Sequence, residues 1–275
     1  MNAQLLKPVT DLWHHHLGIL DEALDESIRS LNNLLRLDEH HRHGREAGHL
    51  KEALGPFGST SMDLSSLSEV LGKSSRSMSG ERRQRIRGLL QRLSGLREIC
   101  VDNSPTVPVA QLDQDEEEIR REAEAHLNRM ARVFASLRAA QLEIRSKYEA
   151  EEHDSFFEAF DWRQLNATEL SLCPPYIIHA VIGEHQAPAL LKILSLLESR
   201  KPVKIIATRD ALRKSYSPNC DTGVPSSLSL EMLPVAMRAV FFLQTSSALE
   251  GFNEQLFEAL TSPRPTLVSL LQPKE

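Results

Sequence analysis

YIIHAVIGEHQAPALLKILSLLESRKPVKIIATRD, residues 176–210, decides the fold. Residues 176–182 and 203–208 are short runs rich in Ile, Val and Ala, closed off by Gly183 on one side and Lys201-Pro202 on the other. A strand covered by helices on both faces reads this way, because neither face alternates with water. Between the two runs, residues 189–199 repeat their apolar positions at helical spacing. Strand, helix and strand of these lengths predict a right-handed βαβ unit and a parallel sheet. The pattern recurs downstream, with residues 239–244 and 266–271 as strands and 249–260 as the helix between them. Residues 151–275 are therefore expected to form an α/β domain, a parallel sheet flanked by helices.

Upstream the period changes to that of helices. In residues 10–37, Trp13, Leu17, Leu20, Leu24, Ile28, Leu31 and Leu35 form one apolar stripe. Residues 81–100 put Ile86, Leu89, Leu93 and Leu96 on one face and Arg82, Arg83, Arg85, Arg87 and Arg92 on the other. Residues 113–149 carry the longest stripe, from Ile119 through Leu127 and Phe134 to Ile144, behind an acidic first turn that suits the helix dipole. Residues 1–150 thus read as an all-α extension, with a Gly-, Ser- and Pro-containing loop over about 38–80 and a short helix at 64–71 within it. The arginine face is expected to meet the acidic run at 113–118. Phe156, Phe157, Phe160 and Trp162 are expected where helices meet the sheet. Residues 101–111, VDNSPTVPVAQ, read as a connector.

Composition narrows the class. The chain has 275 residues, 25% charged, with a net charge of −6, so no global basic field draws it to nucleic acid or anionic lipid. Its apolar runs are shorter than the ~20 residues of a membrane span. Three cysteines, Cys100, Cys173 and Cys220, fit reduced thiols and a cytoplasmic setting, and three thiolates cannot hold an iron–sulfur cluster alone. His14, His15, His16, His40, His41, His43 and His49 crowd the first fifty residues. Consecutive histidines point around a helix, and no zinc-like spacing is present, so these read as solvated side chains.

The chemistry of an α/β sheet is done at the carboxyl ends of its strands. After the first strand come Gly183, Glu184 and His185, one glycine followed by an acid and an imidazole. After the second comes a long polar loop, residues 208–227, with Asn219, Cys220, Asp221, Thr222 and Gly223. Neither a dinucleotide GxGxxG, nor a phosphate-binding GKS or GKT, nor a GxSxG elbow occurs.

The order of these parts resembles the thiamine-diphosphate-binding domain of the pyruvate:ferredoxin (2-oxoacid) oxidoreductases. The likeness runs over residues 173–273: CPP and a strand, a turn and a helix, SRKPVKIIATRD, a polar loop, then RAVFFLQTSSALEGFNEQLFEALTSPRPTLVSLLQP. The family has a Gly-Asp-Gly where this chain has Gly183-Glu184-His185, and an Asn-Thr-Gly-Gly-like run echoed here by Asn219, Thr222 and Gly223. The resemblance implies that these six residues touch thiamine diphosphate, with Glu184, Asn219 and Thr222 holding Mg²⁺. It implies a divergent component of a 2-oxoacid oxidoreductase, completed by other domains or subunits, with a homo-oligomer as a further expectation. The alternative is a non-catalytic interaction module with a degenerate cofactor site. Glu184 is one methylene longer than the family's acid, which matters for an ion as geometrically strict as Mg²⁺.

Overall fold

The computed structural model describes residues 3–43, 78–99, 107–182, 186–210, 230 and 237–272. The chain divides into two compact units that interleave in sequence: residues 1–21, 99–134 and 160–275 form one, residues 22–98 and 135–159 the other.

Among the described residues, the first unit holds a five-stranded, wholly parallel sheet: β1 (Val109–Gln111), β2 (Ile177–Val181), β3 (Lys204–Asp210), β4 (Phe241–Ser246) and β5 (Thr266–Gln272), in the order β1-β2-β3-β5-β4. Helices α1 (Ala3–His43), α2 (Gly80–Arg97), α3 (Glu116–Ile144), α4 (Ala150–Glu158), α5 (Ala167–Leu172), α6 (Gln186–Glu198) and α7 (Phe252–Thr261), with a single 3-10 turn at Trp162–Gln164, complete the described chain. The four expected strands and the two helices between them are present, shifted by a few residues at their ends. β1 was not expected. It lies inside the stretch read as a connector, and three residues behind Pro108 are too short for an alternation to register.

Strand order explains which face each helix covers. The chain steps from β1 to β2 to β3, passes over β5 to β4, then steps back to β5. Right-handed crossovers put the connections of the forward steps on one face and that of the backward step on the other. The packing follows. Ile119 and Ala123 of α3 and Leu190, Ile193 and Leu197 of α6 bury themselves against Ile178, Ala180, Ile205, Ala207 and Leu267. Phe252, Leu256 and Leu260 of α7, with Leu5, Val9 and Leu12 of α1, cover Ile177, Ile206, Val268 and Leu270 on the opposite face. Each fully buried Ile or Leu here is worth roughly 1.5–3 kcal/mol over exposure. Gly251 sits in the left-handed region (φ 80°) just ahead of α7, a conformation other residues adopt only under strain.

The second unit is helical and is pinned by ion pairs. The Glu143 side chain, 1% exposed, accepts from Arg82 Nε at 2.9 Å and Arg85 Nε at 2.6 Å. Arg83 reaches Asp38 at 2.6 Å. Burial alone would raise the Asp38 carboxyl, but the Met78 N–H at 2.9 Å and the Arg83 guanidinium outweigh it and hold the group below the usual range. The arginine face of α2 therefore finds acids within the chain, as expected, but not the expected ones. Glu116 is taken by Arg120 and Ser195, and Glu118 faces Arg121. The aromatic expectation also shifts: Phe156 is exposed, and Phe157 stacks with Tyr148 and His153 within this unit.

Candidate functional site

The six residues named from the sequence, Gly183, Glu184, His185, Asn219, Thr222 and Gly223, lie outside the described residues, as do the expected helix at 64–71 and Cys220. What the structure describes is the edge from which both segments leave. β2 and β3 are parallel neighbours, registered from Ile177↔Lys204 to Val181↔Thr208, so residue 183 and the loop after Asp210 follow adjacent strand ends. Helix α6 starts at Gln186, putting residues 183–185 immediately ahead of its N-terminus.

Three side chains form a line across β1, β2 and β3 near this edge. His179 Nδ1 donates to Gln111 Oε1 at 3.1 Å, leaving Nε2 as the acceptor that faces Thr208 Oγ1 at 3.4 Å. The single Thr208 proton is shared between that nitrogen and the Ala180 carbonyl at 3.2 Å. Burial holds the His179 pKa below the usual histidine value, which favours this neutral form. On the opposite face Arg209 Nη2 donates to Ser269 Oγ at 2.8 Å. Val181, the last residue of β2, is 73% exposed although β2 lies inside the sheet, so the apolar surface beside His179 is open. The signal for His179 was available: a histidine inside YIIHAVI is the one polar residue in a run otherwise read as core.

The amino edge of the same sheet holds further buried polar groups. Lys204 is buried, and its ammonium donates to the Ser262 carbonyl, the Arg264 carbonyl (2.9 Å) and Thr266 Oγ1 (3.1 Å). Burial pulls its pKa down to about 7, while three acceptors for three N–H groups favour the charged form. His16, read from sequence as solvated, is buried, and its Nδ1 lies 3.1 Å from the Cys173 carbonyl. His14 and His15 are exposed, as consecutive positions on a helix require. His126 is buried against the Pro174 carbonyl at 2.8 Å, and burial lowers its pKa to about 4. Burial likewise pushes the Cys173 thiol up to about 12, which makes it inert as a nucleophile.

Comparison with known protein families, curated proteins and solved structures gives no match for this chain. Among the described residues, no helix is long and apolar enough to cross a membrane, and no three His, Cys, Asp or Glu side chains gather as metal ligands.

Proposed function

We propose that the α/β unit binds a ligand at the carboxyl edge of β2 and β3. On the resemblance drawn above, that ligand is thiamine diphosphate with Mg²⁺, in a component of a 2-oxoacid oxidoreductase-like assembly completed by other domains or subunits. The observation that supports this is adjacency: the segments carrying Gly183–Glu184–His185 and Asn219–Thr222–Gly223 follow neighbouring parallel strands and so start from one place. The described side chains there, Gln111, His179, Thr208 and Arg209, are neutral or basic, which suits an anionic diphosphate. In this reading Glu184 contributes the metal carboxylate and Asn219 and Thr222 neutral oxygens. Gly183 and Gly223 allow close backbone approach, and His185 lies beside the diphosphate. The cofactor supplies the carbanion chemistry, and the chain's own residues hold and orient it.

The test is calorimetric titration of thiamine diphosphate with Mg²⁺ into the folded chain and into Glu184→Ala. Micromolar binding that disappears in the variant is the expected result. Absence of binding to the folded wild-type chain removes the cofactor from this reading. The second reading, an interaction module with a degenerate site, is favoured by the His185 imidazole where the family has glycine and by the outer side of β4, on which no described residue pairs.

A further inference from the structure

The two edges of the sheet are built differently. β1 is three residues long and follows Pro108, which has no N–H to offer, a combination that discourages pairing. β4 is six residues long, reads FFLQTS, and contains no charge and no proline. Phe241, Phe242 and Leu243 are only half-buried, and among the described residues nothing pairs with the outer side of the strand. The Phe241 N–H donates to the Pro265 carbonyl at 2.9 Å. In a parallel ladder this commits Phe241, Leu243 and Thr245 to β5 and turns the N–H and C=O groups of Phe242, Gln244 and Ser246 outward.

We infer that β4 is the site at which a second copy of this chain pairs, antiparallel, across a twofold axis at Leu243. In that register Leu243 meets itself, Phe241 meets Thr245 of the other copy, and Phe242 meets Gln244. Aromatic and aliphatic residues then face apolar, β-branched or neutral partners, with no like charges opposed. The ends of the strand select the antiparallel copy. Arg238 is exposed three residues before β4, and Glu250 is exposed four residues after it. Antiparallel pairing brings the entry end of each strand beside the exit end of the other, so each Arg238 approaches the other copy's Glu250. Parallel pairing would oppose arginine to arginine. A twofold contact of this kind uses the same patch on both copies, as closed dimers do. The inference does not rest on the cofactor reading.

Sedimentation of the full chain over about 1–100 µM, a range that brackets a modest interface, tests it. The expected species has twice the 30.9 kDa chain mass. Gln244→Pro removes only an outward N–H and leaves the β5 ladder intact, so it should give the single-chain mass with an unchanged far-ultraviolet spectrum. Gln244→Lys, which keeps the backbone, should do the same and covers the case in which proline perturbs the strand. Arg238→Glu should weaken association at least about fivefold, and Arg238→Glu with Glu250→Arg should restore it. A wild-type chain of single mass throughout the range overturns the inference. So does a dimer that both Gln244 variants leave intact.

Discussion

The carboxyl and amino edges of one sheet, a few strand residues apart, handle buried polar groups in opposite ways. At the amino edge Lys204 has three acceptors for three protons, and His16 and His126 each lie against a main-chain carbonyl. At the carboxyl edge His179 shares one weakly held hydroxyl proton with a carbonyl, and Val181 lies bare beside it. An edge whose ammonium has all its acceptors within the chain contributes stability and has little capacity left for a ligand. An under-committed, open edge has polar atoms that a ligand can still engage. The contrast agrees with the general rule that parallel sheets work at the carboxyl ends of their strands.

Lys204→Met should produce the largest effect. It strands the Ser262 and Arg264 carbonyls in a buried site, and an unsatisfied buried acceptor costs about 1–3 kcal/mol, so a loss of about 3 kcal/mol is expected in denaturant unfolding. The same residue has a pH signature. Its pKa falls from 10.5 unfolded to about 7 folded, so the unfolded chain binds the extra proton between those values and wild-type stability rises with pH above 7. Cys173, raised to about 12, opposes this once its unfolded thiol ionises near 9, so the rise is to be read between pH 7 and 8.5. Lys204→Met should lack it. An unchanged midpoint in the variant would break the claim that this edge is the structural one.

Acid is the next probe. His126 falls from 6.5 to about 4, so the unfolded state takes up the proton first and stability is lost as pH drops through that window. Between pH 7.5 and 5 the loss from His126 alone should be about 2 kcal/mol, with the carboxylates still ionised. His126→Gln should flatten the unfolding midpoint over this range. An equally steep dependence in the variant would assign the acid sensitivity to His16 or His179, both also lowered by burial.

How much of this was legible before the structure depends on sequence distance. Four of the five strands and both intervening helices show in local apolar periodicity, because burial on two faces leaves no polar position to obscure it. β1 escapes because three residues carry no period, and its place is decided by pairing with residues more than sixty positions away, Val109↔Ile177. The acids that meet the arginine face escape for a related reason. Glu143 lies about sixty residues beyond Arg82 and Arg85, within an apolar stripe where charge is least expected, whereas the run at 113–118 advertises itself by composition. His16 and His179 were readable only as polar residues on apolar surfaces, a signal that marks burial without naming the partner.

Smaller effects should separate the open edge from the closed one. Thr208→Val keeps the shape of the side chain but removes the hydroxyl that bonds Ala180 and faces His179, and should cost about 1 kcal/mol. Val181→Thr should cost least, under about 0.5 kcal/mol, because an exposed side chain gives up almost no burial. Its value lies in the ratio of two measurements. If the carboxyl edge is a binding surface, a change that leaves the unfolding midpoint in place should still weaken thiamine diphosphate binding several-fold, since a bound ligand would cover Val181. If it is only a solvated strand end, neither quantity moves. A variant that loses stability without losing affinity would show that Val181 is covered by its own chain in solution, and the open edge would then join the closed one.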